Sequence, residues 1–358
     1  MKTLLLSPEL FLADGGIARI MRLYLKALCE LAEPGDGVIS LVLNDQAAPE
    51  ARLPRYSTTA LLGHHGCARR KLQFIREALR LAPQVNRLVC GHLHQLLIAW
   101  LAQRLNPPLE YYLVAHGIEV WRPYSPLETR AMLGARRLLC VSEYTRRQLL
   151  RFCARLDASR LVVVPNPLDP FFERAAPATA AATGSRLRLL TVARLASADT
   201  YKGVDTLIEA LPLVRREFPG AELRIVGGGD DLPRLRALAG RLGVGEAVSF
   251  TGLIDDEALR GEYAACDLFA LPSRKEGFGL VFLEAMTHGK PCLGARAGGV
   301  PEVLNDRVGA LAEYGNIPSI AAAVSDLVRY PRDPALIRAQ ADAFAFPNFK
   351  RRLAAALL

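Results

Sequence analysis

An α/β fold of two doubly wound units is the class this sequence predicts, on three observations. Short apolar runs alternate with longer helical stretches along the whole chain. That alternation breaks once, over Arg174-Ala175-Ala176-Pro177 and the Ala/Thr-rich residues that follow, and then restarts. The length, 358 residues, exceeds what one hydrophobic core usually holds.

The elements follow in order. In the first half, strands are expected at residues 3–6, 38–43, 87–90, 111–115, 138–141 and 161–164. Helices are expected at 17–31, 71–81, 95–105 and 144–152. The strands are near-continuous apolar runs, as in a parallel sheet covered on both faces. Residues 173–185 read as an interdomain linker, small and without an apolar period. In the second half, strands are expected at 187–192, 222–226, 247–251, 268–271 and 291–294. Helices are expected at 204–217, 232–242, 257–265, 280–288 and 317–327. The domains are therefore 1–172 and 186–345, with a final helix at 346–358 expected to cross back to the first domain.

Composition narrows the class. Hydrophobic residues make up 51%, enough for buried cores. No apolar run is long enough to predict a transmembrane helix. The apolar start at Leu4-Leu5-Leu6 is too short for a signal peptide and reads as a first strand. Seven cysteines without a C-x-x-C pair suggest reduced thiols and a cytoplasmic protein. The formal charge of +9 suits a phosphorylated ligand or an acidic lipid surface. No Lys/Arg run with interleaved aromatics points to nucleic acid.

Ligands of such sheets bind beyond the carboxyl ends of the strands, so the chemistry is sought there. Glu276-Gly277-Phe278-Gly279-Leu280 runs from a loop into a helix that carries Glu284. A glycine turn opening a helix directs free N–H groups and a positive dipole end at an anion. Arg194 and Lys202 follow the first strand of the second half and suit a diphosphate; as surface cations they would need no function. Gly227-Gly228-Gly229 and Gly298-Gly299 are weaker turn signals. Gly15-Gly16 precedes the first helix, and His116-Gly117 ends a strand. A lone histidine is more often structural than catalytic, but its position at a carboxyl end brings the two readings towards even. His92-x-His94 has no third ligand in view, and there is no D-x-D, so no metal site is expected. Neither G-x-G-x-x-G nor a P-loop occurs, which disfavours dehydrogenases and P-loop ATPases.

Taken in order, these segments resemble the retaining GT-B glycosyltransferases of family 4. The resemblance rests on Gly15-Gly16, His116-Gly117, Val141-Ser142-Glu143, Val164-Pro165-Asn166, Arg194 with Lys202-Gly203, and Val226-Gly227-Gly228-Gly229. It continues through Phe250-Thr251-Gly252, the Glu276 to Glu284 element and Gly298-Gly299-Val300-Pro301-Glu302. It implies two Rossmann-like domains facing across a cleft. It implies transfer of a hexose from a UDP- or GDP-linked sugar to a glycan or lipid-linked acceptor, in polysaccharide or glycoconjugate synthesis, with no metal or other cofactor.

The implied roles are specific. Arg194 and Lys202 hold the diphosphate, Glu276 the donor-sugar hydroxyls and Glu284 the ribose. His116 approaches the reaction centre. Gly16, Gly277, Phe278, Gly279 and Leu280 line the donor, and Gly252 and Leu253 lie near the base. The Arg194–Lys202 gap is slightly longer than is common in the family, and the loop is expected to be mobile. Acceptor residues are sought in the loops 9–18, 44–66 and 116–126, where Trp121, Arg122 and Tyr124 either stack on a sugar or pack the loop. Two other readings stand beside this one: a nucleotide-sugar epimerase of the same fold, and a non-catalytic nucleotide-sugar-binding module. Finally, residues 68–80 are basic, with Leu72, Ile75 and Leu79 on one helical face. That pattern suits peripheral contact with an acidic inner membrane face, or an ordinary packed helix.

Overall fold

The computed structural model describes residues 1–12, 15–46, 51–173 and 186–358. The chain divides into two compact units. One comprises Met1–Asp169 with Phe346–Leu358, the other Pro170–Ala345.

The first unit is a seven-stranded sheet. Its strands are β1 (Lys2–Ser7), β2 (Gly37–Val42), β3 (Leu61–Gly66), β4 (Arg87–Cys90), β5 (Glu110–Ala115), β6 (Arg137–Cys140) and β7 (Leu161–Val163). The order is β3-β2-β1-β4-β5-β6-β7, and every pairing is parallel. Leu4, Leu5 and Leu6 of the central β1 are fully buried, as strand residues covered on both faces must be. The order reverses between β1 and β4, so the crevice of this sheet lies beyond those two strands and their neighbours.

The second unit repeats the plan with six strands. They are β8 (Arg188–Val192), β9 (Glu222–Val226), β10 (Val248–Gly252), β11 (Leu268–Leu271), β12 (Cys292–Ala295) and β13 (Gly309–Ala312). The order is β10-β9-β8-β11-β12-β13, again all parallel, and it reverses between β8 and β11.

The helix Phe346–Ala356 belongs to the first unit. Phe346, Phe349, Leu353 and Ala356 form its buried stripe, and Phe349 meets the Tyr24 ring edge-on at 5.0 Å. Lys350 pairs with Glu30 at 2.8 Å. At its far end Arg137 donates to the Ala355 carbonyl and Arg87 to that of Leu357, which satisfies carbonyls that have no partner within the helix.

Several sequence expectations need correction. Residues 170–172 belong with the second unit, because Phe172 is fully buried with its ring 6.3 Å from Tyr263. Of the expected linker only Glu173, the last residue of a short helix, is among the described residues. Strand β3 was not foreseen. Its sequence, Leu-Leu-Gly-His-His-Gly, has no β-branched residue, and it forms as an edge pairing with β2. Strand β13 (Gly-Ala-Leu-Ala) escaped notice for the same reason. Helices Pro126–Gly134 and Pro334–Asp342 were not foreseen, although each starts with a side-chain cap and a proline in its first turn. On helix Lys71–Leu81 the buried stripe is Phe74, Ala78 and Leu81, which leaves Leu72 84% exposed.

Candidate functional site

The second unit assembles its functional side chains at the reversal between β8 and β11. The loop after β8 carries Arg194 and Lys202. The loop after β11 carries Ser273 to Glu276. Lys202 Nζ and Glu276 Oε2 are 2.7 Å apart, and both side chains are mostly buried. A charge-assisted contact of that length fixes both groups. Arg194 donates through Nε to Asp199 Oδ2 at 2.5 Å. Asp199 is buried, whereas the Arg194 side chain is 72% exposed, so the guanidinium is held at one edge and open at the other. The Asp199 contact raises the Arg194 pKa further.

Tyr201 joins the two loops. Its carbonyl accepts from the Arg274 N–H at 2.8 Å and from Ser273 Oγ at 3.3 Å. Its ring lies 5.7 Å from Lys202 Nζ and 5.8 Å from Lys275 Nζ. Burial, with the neighbouring Asp199, pushes its hydroxyl up to about 12. Ser197 donates through both N–H and Oγ to Asp230, and these bonds lower the Asp230 pKa. The longer loop, expected to be mobile, is thus tied at Ser197, Asp199 and Tyr201. An open depression of about 210 Å³ beside it is lined by Arg194, Asp199, Lys202, Asp205, Asp231 and Arg234.

The glycine turn shapes the helix start. Gly279 caps helix Leu280–Thr287 at φ 97°, and a Cβ there would meet the Phe282 ring at 2.5 Å. Phe278 turns inward and packs edge-on against Phe344 at 5.3 Å, so only its backbone is available to a ligand. Gly277 is buried and Leu280 half-buried. The Gly298-Gly299 turn, a candidate to aim N–H groups at a phosphate, uses one of them inside the protein. Gly299 N–H donates to the Glu276 carbonyl at 2.8 Å and holds the loop that bears Glu276. Gly227 and Gly229 have a similar structural reason. A Cβ on either would strike the Ala193 or Leu195 carbonyl in the loop leading from Arg194. Gly252 has φ 74° and accepts the Gly227 N–H, while Leu253 beside it is 85% exposed.

Glu284 sits one turn into the helix and is only 3% exposed. Tyr263, fully buried, donates its hydroxyl to Glu284 Oε2 at 2.8 Å. Sequence reasoning missed Tyr263, which lies 21 positions away on another helix and has no local signal. It also missed Asp199, Tyr201 and Asp230, each of which is legible only once the loops are folded.

In the first unit, Gly16 opens helix Gly16–Leu31 with Gly15 as its N-cap. Both are exposed, and a Cβ on either would meet nothing within 4 Å. His116 follows β5 and is half-buried, with Nε2 2.8 Å from the Gly91 carbonyl. Burial pulls its pKa down to about 4, against the opposing pull of that carbonyl. His92 is likewise held at about 4 by burial. Its Nδ1 accepts the His94 N–H, and the two rings lie 4.6 Å apart. That nitrogen's lone pair is occupied, which removes it as a metal ligand. Among the described residues no group of three His, Cys, Asp or Glu is placed to hold a metal.

The three acceptor candidates are occupied by their own loop. Trp121 packs edge-on against Tyr144 at 5.0 Å. Arg122 pairs with Glu128 at 2.6 Å and covers the Tyr124 ring. Tyr124 donates to the Val120 carbonyl.

Comparison with known proteins agrees with this geometry. The family profile described as Glycosyltransferase Family 4 matches residues 15–171, and that described as Glycosyl transferases group 1 matches 186–330. A GDP-mannose-dependent alpha-(1-6)-phosphatidylinositol monomannoside mannosyltransferase of Mycobacterium tuberculosis is 37% identical over 230 residues, covering 60% of this chain and 59% of that protein. The protein of the same name from Mycolicibacterium smegmatis is 40% identical over 165 residues, covering 44% of this chain and 43% of that one. The matched stretch thus spans 59% of the first relative's length and 43% of the second's. Over 100% of this chain and 99% of the other, the fold is similar to that of Anabaena HepE in complex with UDP and glucose, with a TM-score of 0.80 and 20% identity. The lipopolysaccharide outer core galactosyltransferase WaaB is similar over 100% and 99%, with a TM-score of 0.77 and 17% identity. Those likenesses establish the fold, which is GT-B. With a profile on each Rossmann-like unit and the Arg194, Lys202, Glu276 and Glu284 constellation at the sheet reversal, the chain belongs to the family 4, group 1 glycosyltransferases.

Proposed function

We propose that this chain is a retaining, metal-independent glycosyltransferase that moves a hexose from a nucleoside-diphosphate sugar to a glycan or lipid-linked acceptor. The observation that carries this reading is the Lys202–Glu276 pair at 2.7 Å beside the Gly277–Gly279 helix start. It sets a cation, a carboxylate and a helix N-terminus at one sheet reversal.

In the transfer, the bond from the sugar C1 to the phosphate oxygen breaks and a bond from C1 to the acceptor oxygen forms on the same face. The acceptor proton passes to the departing phosphate. Negative charge grows on that phosphate, and fixed cations stabilise it where it develops. Arg194 offers its open guanidinium edge, and Lys202 its ammonium. Glu276 accepts from donor-sugar hydroxyls, Glu284 from the ribose, and His116 serves the transferred sugar. No protein nucleophile is needed.

The relatives' names make GDP-mannose the first donor to test and a mannosylated phosphatidylinositol the first acceptor; the UDP sugars follow from HepE. Acceptor-dependent release of GDP or UDP is expected, and it should collapse in Lys202→Ala and Glu276→Ala. Unchanged release in both variants would overturn the site.

Peripheral membrane contact is a second part of the proposal. No helix among the described residues is long and apolar enough to cross a membrane. Leu72 stands exposed between Lys71 and Arg76 and suits the surface of an anionic bilayer. Co-sedimentation with anionic vesicles at low salt should fall in Leu72→Glu. No sedimentation of the parent chain would sink the idea.

A further inference from the structure

The turn His116-Gly117-Ile118-Glu119, at the end of β5, is built around one carboxylate. Glu119 Oε1 accepts the His116 N–H at 2.5 Å. Burial raises the Glu119 pKa, against the lowering effect of its own backbone N–H and those of His116 and Gly117. Gly117 takes φ 145°, which favours glycine and lets the chain curl back around the acid. The carboxylate thus holds a backbone N–H of its own turn.

The His116 ring is fixed by a second contact. Its Nε2 is 2.8 Å from the Gly91 carbonyl. A carbonyl only accepts, so Nε2 carries the proton and Nδ1 is the lone-pair nitrogen. Nδ1 has no protein partner among the described residues. The ionisable groups around the turn are Glu119, His92, His94 and Arg122, and the last is already paired with Glu128.

We propose that Glu119 is the positioning residue for His116. By binding the His116 N–H it holds the ring against Gly91 and leaves Nδ1 as a fixed acceptor for a substrate hydroxyl. The inference rests on the reading that His116 serves the transferred sugar. It adds the direction of the contact: the sugar hydroxyl donates and the imidazole accepts.

The test uses the full chain with Glu119→Ala and Glu119→Gln. The glutamine keeps an amide oxygen for the His116 N–H. Nitrogen-15 NMR of the histidine rings reads the tautomer directly, with His116 assigned from the signal missing in His116→Gln. The parent should show His116 protonated at Nε2. Glu119→Ala should shift it toward mixed tautomers and lower kcat by about tenfold to a hundredfold, the scale of a small misplacement at a reacting centre. The donor KM should change much less, and Glu119→Gln should recover most of both readouts. A parent-like His116 signal in Glu119→Ala overturns the positioning role, whatever happens to activity. A shifted signal with wild-type turnover in His116→Ala supports the positioning and overturns instead the assignment of His116 to the sugar.

Discussion

The two sheet reversals are built from opposite materials. In the second unit the groups at the reversal are charged and already matched: Lys202 with Glu276, Arg194 with Asp199, Arg234 with Asp231. In the first unit they are glycines and histidines around one half-buried carboxylate, Glu119, and burial keeps His92 and His116 neutral near pH 7. Under the proposed function, the unit that grips the diphosphate keeps its cations in place by pairing them with carboxylates, and the unit that meets the transferred sugar is organised by tautomer and hydrogen bond. The contrast explains why a single unit carries most of the charged constellation.

Three experiments sharpen or break it. Lys202→Ala should have the largest effect. Under the proposed function it removes a cation from the departing phosphate, and it leaves Glu276, mostly buried, without this partner. A loss in kcat of about a hundredfold to a thousandfold is expected, on the scale of deleting one transition-state donor. Steady-state kinetics that show only a raised donor KM would mean that the cation grips the ground state alone, and the comparison would need redrawing.

Tyr263→Phe is next. The hydroxyl it loses donates to a carboxylate that is 3% exposed. Removing one partner of a buried, charged hydrogen bond destabilises by about 1–3 kcal/mol. Urea unfolding should report that loss, and the donor KM should rise as Glu284 loses its orientation. Wild-type stability with wild-type KM would show that Glu284 is held by its other contacts.

The smallest effect concerns acid. His92 titrates near 4 in the folded chain, below the 6.5 of an unperturbed histidine. The unfolded chain therefore takes up this proton first as the pH falls. The stabilisation is complete above pH 6.5 and is lost progressively between 6.5 and about 4. His92→Asn should flatten that part of the stability–pH curve, measured by thermal unfolding across the window. An unchanged slope would show that the His92 ring is as well solvated in the folded chain as in the unfolded one.

Much of this was legible in the sequence. Central strands such as β1 and β11 are continuous apolar runs, and buried parallel strands leave no other option. The Glu276 to Glu284 element was legible because one loop and one helix carry it, so that spacing alone fixes its geometry. The edges were harder to read. Strands β3 and β13 have no β-branched residue and are held by a single neighbour, so tertiary pairing outweighs propensity there. The supporting groups were invisible for a different reason. Tyr263, Asp230 and Gly91 act from other elements, and no local pattern links them to Glu284, Ser197 or His116. Glu119 is the exception. Three residues beyond His116, it was close enough for a turn-spanning contact to be suspected, but acids that follow a histidine are common and the sequence offered nothing to separate this one.

The helix Phe346–Ala356 has a consequence for how the chain is made. It supplies Phe349 to Tyr24 and Lys350 to Glu30, so the first unit is finished by residues synthesised after the whole of the second. While the ribosome translates residues 170–345, the first sheet waits with the Tyr24 face uncovered. The second unit, contiguous in sequence, has no such delay. Nascent chains stalled before residue 346 should therefore expose an apolar stripe on the Gly16–Leu31 helix, a natural landing place for a chaperone during synthesis.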